Sequence, residues 1–113
     1  MRIRPYTRER KTTETGRRNM QNEKYVEQKL IKAVKQRGGL ALKFTSPSYD
    51  GVPDRILLFG GGVLAFAELK APGKKPRKLQ VRRIEKFRSL GFKVYVIDNT
   101  EMIEEVLDEI LSA

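Results

Sequence analysis

The stretch DRILLFGGGVLAFAELK, residues 54–70, decides the fold. One apolar run leaves Asp54 and reaches three consecutive glycines, Gly60 to Gly62. A second apolar run returns to Glu68-Leu69-Lys70. Two strand-like runs joined by glycines read as an antiparallel hairpin. With Gly61 at the centre of the turn, Phe59 faces Val63, and counting outward Asp54 faces Glu68. Opposed residues on one face of such a pair have Cβ atoms roughly 4.5–5.5 Å apart, and two like charges that close repel. A divalent cation between them removes the conflict, because hard oxygen donors suit Mg²⁺. Strand side chains alternate, so Lys70 shares the face of Glu68. Two carboxylates and an ammonium on one spot outline a metal-dependent hydrolytic site. The competing reading of the same residues is a cross-strand ion pair, Asp54 with Lys70.

Working outward, the hairpin sits in an α/β chain. Asn22 is a candidate N-cap for a helix to about Arg37, with Val26, Leu30, Ala33 and Val34 as its buried stripe. Gly38-Gly39 ends it, and residues 40–45 read as a first strand. Residues 46–53 form a loop with two prolines, and residues 71–77 a Lys/Pro/Gly loop. A helix over 78–90, a strand over 92–98 and a last helix capped by Thr100 complete the order α-β-β-β-α-β-α. The hairpin strands are dense in Ile, Leu, Val and Phe, as expected of a mixed sheet covered by helices on both faces. The 113 residues read as one domain over 22–113, preceded by a basic arm over 1–21 that lacks apolar periodicity.

Composition narrows the chemistry. Cysteine, histidine and tryptophan are all absent. That removes disulfides, thiolate metal sites, His-based triads and His-metal centres. Catalysis is left to carboxylates, Lys, Arg, Tyr, Ser or Thr. No stretch reads as a signal peptide or a membrane span, so a cytoplasmic location is expected.

The net charge is +10, and it is segregated. Residues 70–93 carry ten Arg or Lys and one Glu, whereas residues 94–113 carry six acids and no base. Residues 1–21 carry seven Arg or Lys and two Glu. Such polarity suits one face for a polyanion, of which nucleic acid is the first candidate. Lys74, Lys75, Arg77, Lys78, Arg82 and Arg83 directly follow Glu68-Leu69-Lys70 and are candidate phosphate contacts. A solvated charged face is the bland alternative. Tyr49, in the loop before Asp54, is a candidate contact to a base or sugar, or simply an exposed loop aromatic.

Two further polar groups stand on apolar helix faces. Glu23 falls within the angular range of Val26, Leu30 and Val34 and is expected to point inward, with Glu27 at the border of that face. Gln80 shares a face with Ile84 and Phe87, as either a satisfied buried amide or a side chain aimed at the site.

Together, Gly51-Val52-Pro53-Asp54, Glu68-Leu69-Lys70, Gln80 and the helical Glu23 resemble the VRR-NUC domain, the virus-type replication and repair nucleases of the PD-(D/E)XK superfamily. The resemblance covers about residues 22–98 and is nearest to small stand-alone phage and prophage members. It implies a restriction-endonuclease-like core and an endonuclease hydrolysing DNA phosphodiester bonds with Mg²⁺ or Mn²⁺. It further implies a homodimer acting on branched DNA, including four-way (Holliday) junctions. The catalytic set it implies is Glu23, Asp54, Glu68, Lys70 and Gln80. The implied metal ligands are Asp54, Glu68 and the Leu69 main-chain carbonyl, with Glu23 a further candidate and Glu27 a less secure match. The alternative is a non-catalytic DNA-binding or scaffold protein that keeps a nuclease-like fold.

Overall fold

The structure, a computed structural model, describes residues 22–112; the basic arm lies outside them. Seven main elements follow in the order expected. They are α1 (Glu23–Gln36), β1 (Leu40–Lys43), β2 (Arg55–Phe59), β3 (Val63–Leu69), α2 (Lys78–Ser89), β4 (Lys93–Ile97) and α3 (Ile103–Leu111). The strands form one mixed sheet in the order β1-β2-β3-β4. The first two pairings are antiparallel and β3–β4 is parallel, with α2 as the crossover between them.

The hairpin register is the one that the central glycine dictates. Phe59 pairs Val63, and the ladder runs out to Arg55 opposite Ala67. Gly61 and Gly62 have φ of 79° and 78°, a left-handed backbone that residues with a Cβ rarely adopt. They reverse the chain in three residues between two apolar strands.

Alternation then sorts side chains onto two faces. Leu57, Phe59, Ala65, Ala67, Leu69, Tyr95 and Ile97 face α1 and α3, where Val26, Leu30, Val34, Val106, Leu107 and Ile110 close the main core. Phe66 and Val94 face the other way and pack on Ile84 of α2, with Phe44, Ile56 and Phe87 around them. The Phe66 and Phe87 rings meet edge to face at 4.9 Å, an arrangement that the ring quadrupole favours. This second layer is narrower than expected. Among the described residues one helix covers that face, and on β1 Leu40 and Leu42 stay exposed.

The helix starts follow capping chemistry. The Asn22 side chain accepts from the Tyr25 N–H at 2.8 Å and starts α1. At the last helix the cap is Asn99 rather than Thr100. Its side-chain oxygen accepts from the Met102 N–H at 3.2 Å, and a short 3₁₀ turn carries the chain into α3. Asn is as good a cap as Thr and stands one residue earlier on extended backbone.

Candidate active site

The site forms where the β2–β3 ladder ends. Asp54 lies one residue beyond the last ladder pair, so the Leu69 N–H has no main-chain acceptor on β2. The Asp54 side chain supplies one, accepting from it at 3.0 Å. A strand residue directs its N–H and C=O to the same edge. The Leu69 carbonyl therefore lies on the Asp54 edge of β3.

Glu68 is the next residue back and faces α2. Only 1% of it is exposed. Its Oε2 receives two donors, Gln80 Nε2 at 2.8 Å and Lys70 Nζ at 3.2 Å. Its Oε1 is buried with no hydrogen-bond partner among the described residues. Burial, followed by the negative charge of Asp54, pushes the Glu68 carboxyl up to about 7, while Lys70 pulls it down. A buried carboxylate oxygen with no protein partner, beside a second carboxylate, is an arrangement that a divalent cation would suit.

The donor set fits a hard divalent ion. Among the described residues no three His, Cys, Asp or Glu side chains come together, so the side-chain donors are the pair Asp54 and Glu68. Mg²⁺ is commonly held by one or two carboxylates with water completing its shell.

Gln80 resolves both of its alternatives at once. Its Oε1 accepts from the Arg77 N–H at 2.8 Å, covering one of the open donors at the start of α2, while its Nε2 holds Glu68. The two partners fix the amide orientation, because an N–H needs an acceptor and a carboxylate needs a donor. It is a satisfied buried amide, and it is aimed at the site.

Of the α1 glutamates, Glu23 departs from the expected orientation, while Glu27 lies at the border of the buried face as expected. Glu23 is exposed rather than turned inward. Its angle around the axis is that of the apolar stripe, but it is the first residue of the helix and stands in solvent. Its position suits the positive end of the helix dipole. Glu27 is half-buried and bonds Arg55, which also donates to the Ala41 carbonyl at 3.0 Å. Arg55 alternates with Asp54 and points to the α1 face. Glu27 is thus committed to an ion pair on the other side of the sheet from Glu68.

The charge segregation is spatial as well as sequential. Basic α2 lies on the Glu68 face and acidic α3 on the opposite one. Lys74, Lys75, Arg77, Lys78 and Arg82 are exposed. Arg83 is not one of them. Its Nε donates to the Asp50 carbonyl at 2.7 Å and its guanidinium covers the Tyr49 ring at 3.8 Å. Asp98, absent from the candidates drawn from sequence, is a buried carboxylate that the β3–β4 register sets beside Lys70. Its signal in the chain is an acid at the end of an apolar strand.

No family model matches the chain. A curated phage protein does, "Putative nuclease p44" of Acyrthosiphon pisum secondary endosymbiont phage 1. It is 40% identical over 77 residues, which span 68% of this chain and 83% of that protein. A solved structure described as "VRR_NUC domain" superposes with a TM-score of 0.72 at 28% identity, covering 76% of this chain and 94% of its own. Fold and site thus define an α/β protein of the nuclease-domain type. The chain belongs to the VRR-NUC family.

Proposed function

We propose that the protein is a Mg²⁺- or Mn²⁺-dependent endonuclease that hydrolyses DNA phosphodiester bonds. It is selective for branched DNA, four-way junctions included, and acts as a homodimer in the cytoplasm of a bacterial host. The observation that carries the reading is the buried, unpartnered Oε1 of Glu68 beside Asp54. The nuclease described for the phage relative and the VRR_NUC structural likeness support it.

Asp54, Glu68 and the Leu69 carbonyl would hold the ion. When bound, a divalent cation supplies Lewis-acid polarisation of a phosphate and a water of lowered pKa. Gln80 keeps the Glu68 carboxylate in one orientation by bonding a single oxygen. Lys70, paired with the same oxygen, would orient the attacking water or stabilise charge building on phosphoryl oxygens. The exposed bases from Lys74 to Arg82 neutralise flanking phosphates. One chain has one such site and cuts one strand, so paired incisions across a symmetric junction require two copies.

The test is incubation with linear duplex, flap, splayed and four-way substrates in Mg²⁺, Mn²⁺ or EDTA. Cation-dependent cleavage that favours branched substrates is expected. Binding that ignores EDTA, with no cleavage of any substrate, would overturn the assignment in favour of a DNA-binding scaffold.

A further inference from the structure

The loop over residues 45–53 is held at several points. Its ends are joined where the Phe44 N–H donates to the Asp54 carbonyl at 2.7 Å. Pro53 is fully buried. At Gly51, with φ +87°, a Cβ would lie 2.9 Å from Leu79 of α2, so the backbone itself packs on the helix. Arg83 bonds the Asp50 carbonyl and lies flat against Tyr49.

These contacts present one aromatic ring in a fixed pose. The guanidinium at 3.8 Å occupies one face of Tyr49. Tyr49 as a whole is nevertheless 37% exposed, so part of it stays open to solvent beside the guanidinium. Arg83 stands three residues after Gln80, about 4.5 Å further along α2, and Gln80 bonds Glu68. The exposed bases Lys78 and Arg82 lie on the same helix. A half-covered ring held against the helix that also carries Gln80 suits base stacking on single strands, since every base has a π-face.

We propose that the Tyr49–Arg83 stack is a platform for an unpaired base of the substrate next to the scissile phosphate. The proposal rests on the nuclease reading and deepens it. Selection for branched DNA then has a local cause, because a base free of its partner strand is available at a branch and absent from a continuous duplex.

The test uses oligonucleotides with 2-aminopurine in the unpaired arm of a splayed substrate or within a continuous duplex. Binding is measured in EDTA, so the fluorescence readout does not depend on cleavage. Quenching on binding is expected for the splayed arm and is expected to be lost in Tyr49→Ala and kept in Tyr49→Trp. In Mg²⁺, Tyr49→Ala should lower splayed-arm cleavage on the order of tenfold relative to duplex cleavage, the scale of one stacking contact. Equal loss on both substrates would make the ring a loop-positioning element and overturn the platform. Quenching that survives Tyr49→Ala would overturn it as well. If the wild-type protein cuts nothing while quenching follows Tyr49, the nuclease reading fails and the stack stands only as a binding site for an unpaired base, with no scissile phosphate beside it.

Discussion

Gln80 holds Glu68 by one hydrogen bond, Nε2 to Oε2 at 2.8 Å, and its other end closes the start of α2. The helix and the carboxylate are therefore oriented by the same side chain. Gln80→Ala removes one of the two donors to the carboxylate, leaving Lys70, and takes away the acceptor of the Arg77 N–H. A stability loss of about 1–2 kcal/mol is expected. Cleavage should fall on the order of tenfold or more, from loss of a positioned ligand. Urea titration and single-turnover cleavage of the same variant measure the two effects separately.

Asp54 and Glu68 repel each other in the metal-free protein. Asp54→Ala and Glu68→Ala should each abolish cleavage, yet leave DNA binding intact or tighter, since each removes a negative charge near the phosphates. Gel-shift titration in EDTA beside a cleavage assay in Mg²⁺ gives both readouts. Unchanged cleavage by either variant would falsify the site.

The Glu68 carboxyl is raised in the folded protein, from an ordinary 4.5 to about 7. Between those values the folded state binds more protons than the unfolded one, so this group makes stability fall as pH rises through that window. A tenfold change in proton affinity corresponds to about 1.4 kcal/mol, so the effect is on the scale of a few kcal/mol. Without metal, Tm should drop from pH 5 to pH 7.5 more steeply in the wild type than in Glu68→Gln. Mg²⁺ should raise the wild-type Tm more at pH 8 than at pH 5, because the ion takes the ionised form. A Glu68→Gln slope equal to that of the wild type would contradict the raised carboxyl.

Glu27 and Arg55 form a part-buried pair on the α1 side of the sheet. Glu27→Ala strands the Arg55 charge and should destabilise the protein by about 1–3 kcal/mol, less than a fully buried pair because Glu27 is partly solvated. Cleavage below Tm should persist, in contrast to Asp54→Ala. Abolished cleavage with unchanged stability would instead move Glu27 into the metal site.

Lys74, Lys75, Arg77 and Lys78 are exposed around the start of α2. Replacing any one that contacts a phosphate should flatten the plot of log affinity against log salt by about 0.9 for duplex DNA. Arg83→Ala is expected to leave that slope nearly unchanged, because its guanidinium is held by Asp50 and Tyr49.

Much of this architecture was present in local patterns. Strand alternation and a central glycine are properties of adjacent residues, so the chain alone determined the hairpin register, the pairing of Asp54 with the Glu68 end, and the face of Lys70. Charge blocks are likewise written in order along the chain, and the separation of basic α2 from acidic α3 follows once a sheet lies between them. Glu23 and Arg83 were decided only by the tertiary structure. Helical periodicity reports an angle around the axis and says nothing of what packs against each turn. Glu23 therefore shared the angle of the apolar stripe and still reached solvent, while Glu27, one turn on, met Arg55. Arg83 looked like its exposed neighbours because only the docking of the 45–53 loop on α2 brings Tyr49 and the Asp50 carbonyl to it. Contacts between segments far apart in the chain depend on how packed elements meet, and no local period encodes that.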